Sequence, residues 1–202
     1  MIKSRHHKPT LWFFDLYFRW KMKFHFRNIE VMGDQADPDQ PVLMLQNHFS
    51  WWDGYWAFYL SKRFFKKKFY VMMMEEQLKK HMFINRCGAF SVKKKSKDLM
   101  DSLHYASDVI RLPDNLLCIF AQGEIQSQYV PEIKFEKGAS WLLKKANSNV
   151  QVFFCVALVD YFSKAKPVLR FYVERYQEGV SHEEIESAYN SFRNNCIKKQ
   201  LG

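Results

Sequence analysis

His48 and Asp53 stand five positions apart in Asn47-His48-Phe49-Ser50-Trp51-Trp52-Asp53, directly after a short apolar run. An imidazole is the usual protein base near neutral pH, and a nearby carboxylate can hold it in the reactive tautomer. The chemistry open to such a His-x-x-x-x-Asp pair is general-base activation of a substrate proton. On one continuous helix, side chains five positions apart differ by about 140° and do not meet. The pair works when His48 ends a strand or loop and Asp53 lies in the first turn of a helix. Ser50 is a good N-cap, which makes Asp53 the third helical residue and lets His48 fold back over the helix start. The same residues admit a plainer reading, in which Ser50-x-x-Asp53 is a capping box and His48 a polar turn residue.

The elements that must position the pair follow from periodicity and turn chemistry. Val42–Leu45 reads as a buried strand delivering Asn47 and His48, and Trp51–Leu60 as the helix behind it. Upstream, Thr10–Lys23 is an amphipathic helix with Leu11, Phe14, Tyr17 and Phe18 at helical spacing. Phe24–Met32 reads as a strand. Downstream, strands are expected at 69–74, 89–92, 116–120, 150–159 and 168–173. Helices are expected at 75–83, 98–111 and 138–146, with a last one running from the Ser181/Glu184 capping box through Cys196. Strands alternate with helices, which predicts an α/β class: a single domain over 24–202 with a central mixed sheet flanked by helices, preceded by the amphipathic N-terminal helix of 1–23.

Composition bounds the partners. The 202 residues are 48% hydrophobic and 17% aromatic, which excludes a disordered chain. A formal net charge of +10 calls for an anionic partner: a membrane surface, an acidic carrier or phosphorylated substrate, or nucleic acid. The N-terminal helix, with aromatics on one side and Arg19, Lys21 and Lys23 beside them, can lie in a lipid interface or pack on the core. No run approaches the roughly 20 apolar residues a spanning helix needs, so membrane attachment is expected to be peripheral. Cys87, Cys118, Cys155 and Cys196 have no C-x-x-C or zinc spacing; no metal site is expected, and Cys118 and Cys155 read as buried thiols. For nucleic acid, Phe64-Phe65 within Lys/Arg could stack on bases, yet no zinc-finger, RNP-like or G-x-x-G pattern accompanies it.

Four further segments, in order, extend the pattern around His48. Gly88-Ala89-Phe90-Ser91-Val92-Lys93-Lys94 is a glycine, an apolar strand and cations. Phe120-Ala121-Gln122-Gly123-Glu124-Ile125-Gln126-Ser127 follows a second strand. Phe135-Glu136-Lys137-Gly138-Ala139 is a lysine-glycine turn, and Phe153–Leu158 an apolar strand. Together with Asn47–Asp53 they resemble the glycerolipid acyltransferases, enzymes that acylate glycerol-3-phosphate and lysophosphatidic acid. Asn47–Asp53 resembles the family's N-H-x-S-x-x-D block and Phe120–Ser127 its F-P-E-G-T-R-S block, and the order and spacing fit over roughly residues 10–175.

That resemblance implies O-acyl transfer at the cytoplasmic face of a membrane, with His48 as general base and Asp53 orienting it. Acyl-coenzyme A or an acidic acyl carrier protein would be the donor and co-substrate, with no other cofactor. Asn47, Lys93, Lys94, Gln122, Gly123 and Glu124 would contact substrate. Gln122 and Ile125 stand where the family's third block has Glu and Arg, and Glu124 replaces its Thr. Arginine grips phosphate bidentately and isoleucine cannot. The departures point toward an acceptor with a neutral, amine or sugar-like head group, or toward a degenerate member that binds lipid without turning it over.

Overall fold

Val42–Gln46, the strand that precedes His48, is buried at every position. A strand with no polar face belongs in the middle of a sheet covered on both sides. The computed structural model, which describes residues 1–93, 98–145 and 149–201, places it there. The strands are β1 (Asn28–Gly33), β2 (Val42–Gln46), β3 (Lys68–Met74), β4 (Ala89–Val92), β5 (Asn115–Phe120), β6 (Gln151–Asp160) and β7 (Val168–Tyr176). Among the described residues they form one sheet in the order β1-β7-β6-β2-β5-β3-β4. The five strands from β6 to β4 run parallel. β7 is antiparallel to β6, and β1 is parallel to β7, so the sheet is mixed as expected.

Helices cover both faces. On one, α1 (Lys8–His25) and α2 (Asp53–Arg63) bury Phe18, Met22, Trp56 and Phe58 against Met44, Cys118 and Phe153. On the other, α5 (Asp98–Val109), α6 (Lys137–Lys145) and α7 (His182–Leu201) pack on Leu43, Leu45, Leu117 and Phe154. Alternate residues of each strand serve opposite cores, as the pleat requires. The parallel run has a functional consequence: the C-terminal ends of β2, β3, β4, β5 and β6 share one edge, where loops converge.

Three expectations are corrected. α1 continues through Phe24 and His25, with Phe26 N–H still bonded to the Met22 carbonyl, so strand structure begins at Asn28, where pairing with Val168 becomes available. The helix expected over 75–83 is two short helices, α3 (Glu75–Lys80) and α4 (Met82–Asn85), broken at His81, whose backbone leaves the helical region (φ −130°, ψ 53°). The bend lets Phe83 stack on Phe14 of α1, with ring centroids 4.9 Å apart. The helix expected from Trp51 begins at Asp53 instead. The Ser181/Glu184 capping box is present in full, with Glu184 N–H on Ser181 Oγ (3.2 Å) and Ser181 N–H on the Glu184 carboxylate (3.1 Å).

Residues 2–7 run beside the edge strand β4 and the turn before it. Ser91 N–H donates to the Ile2 carbonyl (2.9 Å), and Arg5 and His7 N–H donate to the carbonyls of Asn85 and Arg86. An exposed strand edge invites pairing with other chains, and this strap covers it. Gly88 sits beneath the strap at φ +113°, where a Cβ would lie 2.1 Å from the Phe69 carbonyl oxygen. No side chain fits there.

Glu75 knots β3, α3 and β4 together. Its carboxylate meets Lys79 Nζ (2.9 Å), Ser91 Oγ (3.1 Å) and Lys93 Nζ (3.5 Å). The bond to Lys79 leads in holding its pKa down to about 2. The folded pKa lies below the unfolded one, so this contribution to stability is present above the unfolded value of 4.5 and is lost as pH falls toward 2. Melting midpoints recorded across that interval should fall less steeply for Glu75→Gln than for wild type.

Candidate active site

β2 ends at Gln46, and the next residue, Asn47, continues its pairing by side chain. Asn47 Nδ2–H donates to the Ala157 carbonyl (2.9 Å), and Ala157 N–H donates to Asn47 Oδ1 (2.8 Å). Both amide atoms are spent on β6 and the residue is buried. Asn47 thus fixes the position from which His48 departs.

His48 Nδ1 lies 2.8 Å from Asp53 Oδ2. The same oxygen accepts the backbone N–H groups of Phe49 (2.7 Å) and Ser50 (2.8 Å). The turn is closed by Asp53 N–H on the Ser50 carbonyl (3.1 Å). Ser50 is not the N-cap: that position falls to Trp52, which makes no side-chain cap bond, while Ser50 Oγ accepts from Trp52 N–H (3.2 Å). The reason lies in Asp53. Its carboxylate reaches back to the turn's own amides, and the chain tightens around it until regular helix starts at Asp53 itself. Asp53 is fully buried. Burial pushes its carboxyl above the ordinary value, while the His48 ring and the Ser50 and Phe49 amides pull it back. With Nδ1 directed at Asp53, Nε2 is the nitrogen left for a substrate. The imidazole stacks on Phe120, with centroids 4.2 Å apart and planes 18° off parallel.

The backbone of His48 is held from the β5 side. Gln122 Oε1 accepts His48 N–H (2.5 Å), Gln126 N–H donates to the His48 carbonyl (2.9 Å), and Gln122 Nε2–H donates to Gln126 Oε1 (3.0 Å). A glutamate at 122 would accept from His48 but could not donate to Gln126. Gln122 is buried and serves this clamp. Gly123 turns the chain at φ +69°, its N–H on the Phe120 carbonyl (2.9 Å). Gly123, Glu124 and Ile125 then form part of a cavity wall beside His48.

That cavity encloses about 970 Å³. His48, Trp51, Gly54 and Glu124 line it together with Phe58, Phe69, Val71, Ile84 and Cys87. Met72, Met73 and Met74 all contribute, as do Ile119 and Phe120. Consecutive strand residues point to opposite faces, so the cavity straddles the C-terminal edge of the sheet. The lining is dominated by apolar side chains, the surface an aliphatic chain requires. Burial pushes the Cys87 thiol up to about 12, which keeps it protonated and poorly nucleophilic. The other three cysteines are also buried free thiols.

Lys93 is placed elsewhere. It leaves the end of β4 with its Nζ near Asp98 (3.1 Å) and Glu75 (3.5 Å), and it does not line the cavity. Lys94, Lys95 and Lys97 lie outside the described residues. Among the described residues, no group of three or more His, Cys, Asp or Glu side chains could hold a metal ion. Sequence reasoning missed Gln126 and Ala157 as partners of the site. Their contacts with Asn47 and His48 come from backbone atoms, which no residue type announces.

A family model described as Acyltransferase matches residues 28–157, from β1 into β6, well over half the chain. No curated protein matches the sequence significantly.

Asp53→Asn keeps a side-chain oxygen but loses the charge that would stabilise the imidazolium; turnover should fall roughly 10²–10⁴-fold in steady-state assays of acyl transfer, since a correctly held base supplies that much. Asp53→Ala also strands the Phe49 and Ser50 amides, at a cost of about 1–3 kcal/mol, readable in chemical denaturation.

Proposed function

This chain belongs to the acyltransferase family, and we propose that it transfers a fatty acyl group from a thioester to the hydroxyl of a lipid acceptor. One observation carries the reading: the buried-carboxylate-oriented imidazole of His48 borders an apolar cavity long enough to wrap the sheet edge. His48 Nε2 takes the proton of the acceptor hydroxyl as its oxygen attacks the thioester carbonyl carbon. Asp53 stabilises the imidazolium through Nδ1. The tetrahedral intermediate collapses, the carbon–sulfur bond breaks, and the thiolate leaves with the proton returned by His48. The products are an ester and a free thiol, with no covalent enzyme intermediate.

The donor is acyl-coenzyme A or an acyl carrier protein, either of which brings negative charge to a chain of net charge +10. The acceptor is a glycerolipid, lysolipid or related molecule. Exposed Glu124 and Ile125 beside His48 offer no bidentate grip for phosphate and suit a neutral, amine or sugar-like head group. Among Asn47, Gln122, Gly123 and Glu124, the last two face the substrate and the first two hold the frame.

Among the described residues no helix is long and apolar enough to cross a membrane. α1 nevertheless turns Trp12, Phe13, Leu16, Trp20 and Phe24 outward while Phe18 and Met22 face the core. Arg19, Lys21 and Lys23 flank the exposed aromatics. This is the pattern of a helix lying at a lipid interface with rings inward and cations at headgroup level. The pattern supports peripheral attachment, which the proposal sets at the cytoplasmic face of a membrane.

Purified protein supplied with labelled acyl-coenzyme A or acyl carrier protein and a panel of lysolipid, glycerol phosphate and amino-lipid acceptors should form ester. His48→Ala should lose roughly 10²–10⁴-fold of the rate. Equal transfer by the two proteins rejects His48 as the base, and acyl-chain binding without transfer by wild type makes the protein a lipid carrier. Flotation with anionic vesicles tests attachment. Wild type should float, more weakly at high salt, and Trp12→Glu combined with Trp20→Glu should leave the protein in the dense fraction.

A further inference from the structure

We propose that Arg193, on α7, is a positioning residue for the acceptor side of the active site. It holds the loop that carries Gly123, Glu124 and Ile125 against His48. The inference rests on the acyl-transfer reading above for its kinetic consequences, but its structural content is independent of it.

Arg193 is 2% exposed. Its guanidinium donates to the carbonyls of Gln128 (2.6 Å), Val130 (2.8 Å) and, at longer range, Pro131 (3.4 Å). A buried cation is costly unless its donors are satisfied, and here backbone oxygens of one loop satisfy them. Two neighbours on the same helix face act on the same loop. Asn190 pairs with both backbone groups of Ile133 (2.8 and 2.9 Å), and Glu186 accepts Phe135 N–H (2.7 Å) and meets Lys134 Nζ (3.1 Å). Positions 186, 190 and 193 follow the i, i+4, i+7 spacing of one helical face.

The loop has a narrow base, where Glu136 N–H donates to the Ala121 carbonyl (2.7 Å). Within it, Gln126 N–H donates to the His48 carbonyl. Arg193 grips residues 128–131, the stretch that follows this anchor. A shift there moves the cavity wall at 124–125, while His48 keeps its own hold through Gln122 and Asp53. Plain helix anchoring is served elsewhere on α7, where Gln200 bonds Tyr172 Oη (3.0 Å), Arg170 (3.2 Å) and Asp160 (2.6 Å), away from the loop.

The test compares Arg193→Met, Arg193→Lys and Gln200→Ala with wild type in the full chain. Transfer kinetics are read with donor and lysolipid acceptor varied separately, and amide hydrogen exchange is followed over 124–131. Arg193→Met keeps bulk but loses every donor. It should raise the acceptor KM between about ten- and a hundred-fold, the scale of loss a small remote misplacement produces, with donor KM unchanged and loop exchange accelerated. Arg193→Lys, which restores donors, should recover part of both. Gln200→Ala should lower the melting midpoint and leave acceptor KM and loop exchange alone. An Arg193→Met protein with a lower midpoint but unchanged acceptor KM, or with both KM values raised equally, overturns the proposal. Should Arg193→Met fail to fold, Asn190→Ala reads the same loop with a neutral residue. Should wild type transfer nothing, the acyl-transfer reading fails, and loop exchange still decides whether Arg193 holds the segment.

Discussion

One carboxylate oxygen, Asp53 Oδ2, accepts three N–H groups: the His48 ring and the amides of Phe49 and Ser50. A fully buried acid is tolerable only when its negative charge is met by donors, and these three come from within five residues. The same contact closes the turn after β2, starts α2 and aims the imidazole. A helix cap and a catalytic dyad were alternative explanations for this pair of residues. The two readings share one geometry, because the turn whose amides bond Asp53 Oδ2 is also the turn that orients the His48 ring.

The frame around this contact divides the polar groups by task. Asn47 and Gln122 are buried, and their amides are used up on the backbone of Ala157 and His48. They hold the end of β2 between β6 and the loop after β5. The surfaces left to a substrate are His48, Gln77, Glu124, Glu136, Lys137 and an extensive apolar lining. Polar precision is thus concentrated behind the base and apolar volume in front of it. The acyl-transfer proposal draws on this division, since a substrate that is mostly hydrocarbon would occupy the apolar volume.

Among the described residues, Lys137 brings a positive charge to the cavity lining, while other cations are placed away from it. Lys93 lies between Glu75 and Asp98, and Arg193 is enclosed by loop carbonyls. Cations do accompany the exposed aromatic side of α1. Residues 2–7 continue from that helix along the edge strand β4, so the N-terminal region both covers a vulnerable sheet edge and presents an amphipathic surface.

The α/β class was legible in the sequence because buried parallel strands are short continuous apolar runs, and amphipathic helices repeat on a different period. The capping box at Ser181 was equally plain, since it depends on two residues three positions apart. Helix limits at His25 and Asp53 and the break at His81 were not, because they are set by where a neighbouring strand begins, by a carboxylate turning back on its own amides, and by stacking against α1. The sequence by itself determined that a base and an acid flank one turn at the end of a buried strand. Only the tertiary structure decided that Asn47 and Gln122 face the backbone rather than the cavity, that Lys93 is drawn to two carboxylates, and that α7 reaches the loop beside His48. Each of those outcomes is a competition among partners distant in sequence, settled by burial and hydrogen-bond satisfaction, which residue spacing does not record.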